Sequence, residues 1–322
     1  MKEVEKHAKS LGSDLSTTLA WLWRVVVRPC LDQLGFNQPH PHSSGRWPRV
    51  WWIQTGALSH FPLHAAGRHC EISGETAIDR VMSSYSSSIK TLMFARRQHN
   101  PKSADSAPGN ALLIGMPQTP GLSTLPSAAD EVAIVEKLCP SLQLKAVKPS
   151  SNCRGEVLEK LHSCKRFHFA GHGESNSSDP SKSRLFLTDW ETTSLTVEDL
   201  FQHWLREHHL FLAYLSACST GAMKYVYLAD EAIHLISACQ LAGFRHVVGT
   251  LWEVEDGYSV DAAKSFYGAL EEEWNDEVVA LGAHNAARLL RRETNGWNLG
   301  AHYAARAGGD PLVWAAYVHF GP

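Results

Sequence analysis

The chain has 322 residues, of which 44% are hydrophobic and 20% charged, and its formal net charge is −3. These fractions are typical of a globular protein, and the small net charge favours neither a nucleic-acid nor a membrane surface as partner. The charged N-terminus lacks a signal core, and no apolar run approaches the roughly 18 residues of a membrane span. Seven cysteines without a CxxC pair weaken the case for a zinc site or a disulfide framework. We therefore expect a cytoplasmic protein with no cofactor and no metal.

The first predicted element is an amphipathic helix that begins near Leu15, in which apolar residues recur at three- to four-residue spacing. Pro29 should end or kink this helix near Arg28, because proline lacks the backbone N–H that a helix needs. A loop rich in Pro, His and Ser follows. We expect residues 1–48 to form an N-terminal helical segment and loop, and residues 49–322 to form one domain.

From residue 111 onward, predicted strands alternate with predicted helices. The strands are expected at 111–115, 142–147, 166–172, 211–218 and 245–251, the helices at 128–138, 154–162, 197–207, 231–241, 261–274 and 277–292, and a hairpin at 185–190. Such alternation at short intervals indicates βαβ units. The fold class predicted is α/β, with a mostly parallel central sheet flanked by helices.

Two apolar segments end in residues that carry chemistry. Residues 166–173 (RFHFAGHG) lead to His172, and residues 211–221 (FLAYLSACSTG) lead to Cys218. An apolar run bounded by turn residues is typical of a buried parallel strand, and parallel sheets place their chemistry at the carboxyl ends of strands. If the two strands are neighbours, these residues emerge about 4.8 Å apart. A thiol and an imidazole presented in this way are a nucleophile and its general base.

Other roles fit these residues less well. A free cysteine is most often a small core residue, as Cys239 is within its predicted helix, but Cys218 lies where the chain turns among Ser, Thr and Gly. His168 and His172 would share a metal only on a helix, and this run is a strand, so we expect His168 to make a core hydrogen bond. A cysteine-based phosphatase needs the pattern C-x5-R, and Lys224 stands where its arginine would be.

Gly173 follows the histidine directly. A glycine N–H can approach a bound carbonyl closely because no side chain is in the way. Backbone amides beside a nucleophile form an oxyanion hole. We therefore expect Gly173 to belong to the same site as His172 and Cys218.

The two segments resemble the signature motifs of CHAT domains, the peptidase modules related to caspases and separase and often joined to TPR repeats. Four further segments are similar to the family in compatible order: TGALSHFPL at 55–63, LPSAADEV at 125–132, LAGFRHVVGTLW at 241–252 and DPLVWAAY at 310–317. The resemblance extends from about residue 50 to the C-terminus. Several ordered motifs are more specific than either short motif alone.

The resemblance implies a caspase-like three-layer α/β sandwich and a cysteine endopeptidase that hydrolyses peptide bonds in a protein substrate. His172 would be the general base and acid, Cys218 the nucleophile, and the amides of Gly173 and Cys218 the oxyanion hole. By similarity to separases, which cleave after arginine, Asp256 would bind a basic P1 side chain. The alternative for Asp256 is that it begins the next helix or is merely solvated.

The resemblance also implies regulation by a sensor domain such as TPR repeats, or by a regulatory partner. Only residues 222–229 separate the cysteine motif from the next predicted helix, so we expect no activating cleavage there. The polar residues 174–183 are the loop expected to regulate the site. The alternative function is a non-catalytic, caspase-like interaction and signalling module, although such a scaffold would not need an intact Cys–His pair.

Overall fold

The computed structural model describes residues 15–41, 46–69, 74–97, 109–176, 178–204, 210–219, 228–252, 254, 256–294 and 310–322. Its helices are α1 (Leu15–Leu22), α2 (Arg28–Gln33), α3 (Ala77–Arg80), α4 (Ile89–Arg97), α5 (Ser127–Leu138), α6 (Arg154–Leu161), α7 (Val197–Trp204), α8 (Leu228–Leu241), α9 (Asp256–Ala269), α10 (Asp276–Glu293) and α11 (Pro311–Trp314). Its strands are β1 (Arg49–Trp52), β2 (Met82–Tyr85), β3 (Gly109–Gly115), β4 (Leu144–Val147), β5 (Cys164–Glu174), β6 (Arg184–Leu185), β7 (Leu195–Thr196), β8 (Leu210–Ser219), β9 (Phe244–Thr250) and β10 (Tyr317–Phe320). Among these residues, no helix is long and apolar enough to cross a membrane.

In the described part of the chain, one ten-stranded sheet runs in the order β1-β2-β10-β9-β8-β5-β3-β4, and β6 and β7 extend from the end of β5. Neighbouring strands are parallel except where β9 meets β10 and where β5, β6 and β7 meet. This confirms the predicted mostly parallel sheet. The two longest strands, β5 and β8, are neighbours near its middle.

Helices cover both faces of the sheet. Val248 and Gly249 are successive residues of β9, so they point to opposite faces. On one face Tyr214, the register partner of Val248, packs against Tyr267 of α9, and α5 and α10 lie beside α9. On the other face Gly249 lies against Ile236 of α8. The molecule is therefore a three-layer α/β sandwich.

Pro29, predicted to end or kink the first helix near Arg28, follows a change of helix geometry there but does not end the helical course. A π-helical turn, Trp23–Val27, joins α1 to α2, and the N–H of Arg28 donates to the carbonyl of Trp23, five residues earlier. Pro29 then lies in the first turn of α2, where its missing N–H would have had no partner in the helix. The wider turn lets the helical course continue through the proline.

Other predicted boundaries also shift. The hairpin is formed by β6 and β7, which pair at Leu185 and Leu195 across a longer connection than residues 185–190 allow. Helix α9 begins at Asp256, five residues before the predicted start. Gly243 follows α8 with φ of +114°, the left-handed conformation expected of a helix-terminating glycine. Residues 98–110 contain two prolines and a glycine, which predict a loop; they lie outside the described residues except for the last two, which begin β3.

Candidate active site

The register of β5 and β8 places the two expected catalytic residues side by side. His172 is the register partner of Cys218 in this parallel pair, and Gly173 is the partner of Ser219. Adjacent strands lie about 4.8 Å apart, and residues opposite each other point to the same face of a sheet. Both residues are close to the carboxyl ends of their strands, at Glu174 and Ser219. For Cys218 the structure describes the backbone only, and that backbone brings the pair together as predicted.

The imidazole of His172 is buried and held by a backbone carbonyl. Its side chain is 4% exposed, and Nε2 lies 2.8 Å from the carbonyl oxygen of Ser123. A carbonyl only accepts hydrogen bonds, so Nε2 must carry the proton that it donates. In the neutral ring Nδ1 is then free of a proton and can accept one. Ser123, in the connection between β3 and α5, is a contact that the sequence did not reveal.

The two glycines beside His172, Gly171 and Gly173, lie in different surroundings. A Cβ on Gly171 would lie 2.9 Å from Cβ of Met116 and 2.9 Å from the ring of Phe169, so packing requires glycine there. Gly173 lies at the junction where β5 pairs with β8 on one side and with Leu185 of β6 on the other. The carbonyl of His172 accepts a hydrogen bond from the N–H of Phe186 at 2.9 Å. The backbone at Gly173, the predicted oxyanion residue, is therefore held by strand pairing on both sides.

A small cavity lies next to the pair formed by His172 and Cys218. Ala170 and Ser216 are register partners and precede His172 and Cys218 by two residues, so they share the face of the dyad. They line a cavity of about 30 Å³ together with other residues that include Glu131. This volume suits one or two water molecules and is too small for a substrate side chain.

His168 makes core contacts, as predicted. Its Nδ1 lies 3.1 Å from the hydroxyl of Tyr267, its Nε2 lies 3.3 Å from the carboxylate of Glu131, and its ring stacks on Tyr214. Burial raises the pKa of both tyrosines well above the ordinary value, so both stay protonated. Among the described residues no group of three His, Cys, Asp or Glu side chains could hold a metal ion.

Asp256 is the first residue of α9, and its side chain lies outside the described part. The segment before it is anchored: Trp252 is buried and donates from Nε1 to the carbonyl of Leu312 at 2.6 Å. Val254 is buried as well. These contacts tie the segment between β9 and α9 to α11, the helix before the last strand.

Comparison with known proteins agrees with this architecture. A family model described as CHAT domain matches residues 16–322, and no curated protein matches the sequence. A Saccharomyces cerevisiae separase, solved in a separase–securin complex, is similar with a TM-score of 0.51 and 14% identity over 85% of this chain. This chain spans only 15% of that separase.

Gingipain R (RgpB) of Porphyromonas gingivalis, an Arg-specific cysteine proteinase, is similar with a TM-score of 0.53 and 11% identity. The match covers 97% of this chain and 75% of the gingipain. At 14% and 11% sequence identity, the similarities to separase and gingipain establish the fold alone, which is caspase-like. The family model, which matches most of the chain, shows that this protein belongs to the CHAT domain family.

Proposed function

We propose that this protein is a cysteine endopeptidase in which His172 and Cys218 form the catalytic dyad. The observation that carries the proposal is their direct register pairing at the carboxyl ends of two parallel strands. A caspase-like fold and membership of the CHAT family support it. The substrate is a peptide bond in a protein.

The state of His172 suits a general base. Because Nε2–H donates to Ser123, Nδ1 takes the proton of the Cys218 thiol, and the thiolate attacks the scissile carbonyl carbon. The carbonyl oxygen becomes an oxyanion, which the N–H groups of Gly173 and Cys218 stabilise. As the C–N bond breaks, the imidazolium returns the proton to the leaving amine. Water, deprotonated by His172, then hydrolyses the acyl-enzyme and releases the thiol.

The Ser123 carbonyl has a place in this cycle. It fixes the orientation and the tautomer of the ring before the reaction. When the ring becomes an imidazolium, the same hydrogen bond becomes charge-assisted and therefore stronger. The dyad does not require an acidic side chain as a third member.

Asp256 is proposed to bind a basic P1 side chain. It begins α9, directly after the anchored segment that contains Trp252. A carboxylate there would form a charge-assisted hydrogen bond with arginine or lysine. A basic P1 residue would parallel the arginine specificity that the name of gingipain R records for that protein.

Regulation is proposed to act on the loops around the site through a sensor domain, such as TPR repeats, or a regulatory partner. Two hydrogen bonds hold the loop between β5 and β6: Arg184 of β6 donates to Glu174 of β5 at 2.6 Å, and within the loop Asn176 N–H donates to Ser183 Oγ at 3.0 Å. A partner that moves this loop would pull directly on the end of β5. Residues 222–229, where no activating cleavage is expected, lie largely outside the described residues.

A peptide library tests the proposal. The full chain is incubated with peptides that contain Arg or Leu, with and without candidate partner proteins, and the products are identified by mass spectrometry. Cleavage by the wild type that disappears in Cys218→Ala and in His172→Ala supports a peptidase. If cleavage persists in Cys218→Ala, the nucleophile is misassigned. If the wild type never cleaves, even with a partner, the non-catalytic signalling module is favoured.

A further inference from the structure

A second and much larger cavity lies far from the dyad. It has a volume of about 850 Å³ and is lined by parts of the edge strand β1, of α4 and of the start of α10, including Arg49, Trp51, Arg96, Asp276 and Glu277. This volume falls within the range of small-molecule sites, about 300–1,000 Å³. Nothing in the proposed peptidase chemistry uses this cavity.

Strand register gives its distance from the dyad. Asp276 contacts His246 of β9 at 2.9 Å. His246 is in register with Leu212 of β8, which is in register with Arg166 of β5. These partners precede Cys218 and His172 by six residues, which corresponds to roughly 20 Å along the strands. A ligand in the cavity would therefore not contact the reacting atoms.

The acidic side chains of the cavity are already paired. Glu277 binds Arg46 through both of its carboxylate oxygens, at 2.8 and 2.7 Å. Asp276 binds Arg245 in the same bidentate manner, at 2.7 and 2.6 Å, and also accepts a hydrogen bond from His246. The carboxylates of Glu277 and Asp276 are thus largely occupied by Arg46, Arg245 and His246.

Two guanidinium groups of the cavity have no carboxylate partner among the described residues. Those of Arg49 and Arg96 lie over the same indole, that of Trp51, with centroid distances of 4.5 and 4.3 Å. Arg49 donates to Ser84 Oγ and to the backbone carbonyl of Asp276. Its buried Nη2 has no hydrogen-bond partner in the described part of the structure. Burial lowers the pKa of Arg49 to about 9; the positive charges of Arg96 and Arg245 act in the same direction, and the negative charges of Asp276 and Glu277 oppose the shift only in part.

We propose that this cavity binds a small phosphate-bearing ligand through Arg49 and Arg96. Arg49 and Arg96 repel each other, and the nearby carboxylates of Asp276 and Glu277 are bound by Arg245, His246 and Arg46. One compact dianion in the cavity relieves the repulsion for both. A phosphate group carries about −1.5 to −2 charges near neutral pH and several strong acceptor oxygens. The planar guanidinium groups match its geometry with paired N–H donors. A monocarboxylate would supply only half of that charge.

Isothermal titration calorimetry with inorganic pyrophosphate, without divalent metal, tests the site. The full chain with Cys218→Ala is used, so that no self-cleavage disturbs the measurement. We expect saturable 1:1 binding that Arg96→Ala weakens about tenfold or more, because it removes a charge-assisted contact. Arg97→Ala is the matched control, since Arg97 is the next, exposed residue of α4 and does not line the cavity. Arg49→Lys keeps the charge but removes the guanidinium fork, and it should also weaken binding.

Three results would overturn the proposal: no saturable binding of pyrophosphate, equal weakening by Arg96→Ala and Arg97→Ala, or binding of succinate as tight as that of pyrophosphate. Titration with ADP identifies the source of the phosphate. Tighter binding of ADP than of pyrophosphate supports a nucleotide, and weaker binding supports an inorganic or non-nucleotide phosphate. Because Arg96 is exposed, its alanine variant should fold normally, and thermal melts of all variants check this.

Discussion

At the scale of single residues, the candidate site depends on a backbone atom that has no sequence signature. The glycine neighbours of His172 predict its role, and the strand that precedes Cys218 predicts that of the cysteine. The carbonyl of Ser123, 49 residues away in sequence, holds the imidazole. Any residue type except one that disturbs the local backbone could supply that carbonyl. The sequence predicts no acidic residue as a third member of the site. The Ser123 carbonyl can orient the imidazole without one.

Asp256→Ala tests the proposed P1 pocket. If Asp256 pairs with a basic P1 side chain, its loss should lower kcat/KM for peptides with Arg at P1 by roughly 30-fold, since truncating one partner of a buried charge pair costs about 2 kcal/mol or more. Peptides with Leu at P1 should be little affected. The measurement is kcat/KM for matched Arg and Leu peptides.

Asp261→Ala is the control for this variant, because Asp261 is an exposed acidic residue of the same helix. It removes the same charge from α9 without removing the proposed contact. If both variants lower kcat/KM equally, or if Asp256→Ala leaves the preference for Arg unchanged, Asp256 has no pocket role.

At the scale of elements, strand β5 carries both the geometry and the packing of the site. Its close contacts at Gly171 predict that Gly171→Ala destabilises the fold, because the added Cβ would meet Met116 and Phe169 at 2.9 Å. We expect a loss of about 1–3 kcal/mol in the free energy of unfolding, typical of overpacking. Urea denaturation measures it.

Gly155→Ala gives the matched comparison. Gly155 lies in α6, and a Cβ added there would have no neighbouring atom within 4 Å outside its own helix turn. Alanine is favoured over glycine in helices by about 1 kcal/mol. This variant should be as stable as the wild type or slightly more so. Equal destabilisation of both variants would show that the packing at Gly171 is not tight.

The order of the elements and the juxtaposition of His172 and Cys218 could be predicted because they depend on local patterns. Apolar runs ending in small residues indicated β5 and β8, and the parallel pairing of neighbours brought His172 opposite Cys218. Features that depend on contacts between distant segments could not be predicted. The hydrogen bond from His172 to the Ser123 carbonyl and that from Trp252 to the Leu312 carbonyl belong to this second class, because the partners are 49 and 60 residues apart in the sequence.

At the scale of the whole molecule, a chain of hydrogen bonds joins the four strands β1, β2, β10 and β9 to α10 on one face of the sheet. It runs from Arg49 through Ser84, His319 and His246 to Asp276, with each step between 2.9 and 3.0 Å. An ionised Asp276 can only accept, so His246 Nε2 must donate to it. Every following donor in the chain then has one acceptor only when both histidines are neutral. Burial lowers the pKa of His246 to about 4 and that of His319 well below its ordinary value, which agrees with this arrangement.

Acid should therefore destabilise the fold before most carboxylates titrate. Burial lowers the pKa of His64, His69 and His246 to about 4 and that of His284 to about 3. Below about pH 6.5 the unfolded chain binds protons that the folded chain does not, so stability falls as the pH falls. Each histidine contributes about 1.4 kcal/mol per pH unit until its folded pKa is reached.

Urea denaturation at about pH 7.5, 6 and 5 measures this dependence, above the range in which unfolded carboxylates titrate near pH 4. The free energy of unfolding should decrease with falling pH, and the decrease should be smaller in His284→Leu, which lacks one buried titrating group. A stability that is constant or rises between about pH 7.5 and 5 would contradict this expectation.

The central claim is that Cys218 is a nucleophile activated by His172, and covalent labelling tests it most directly. The full chain is treated with an electrophilic peptide that carries Arg at P1, in a Cys30→Ala background because Cys30 is an exposed free thiol. The modified residue is identified by mass spectrometry, and the labelling rate is measured. We predict a single adduct on Cys218, lost in Cys218→Ala and formed roughly 100-fold more slowly in His172→Ala, as expected when a general base is removed. Labelling that persists in Cys218→Ala, or a rate unchanged in His172→Ala, would contradict the claim.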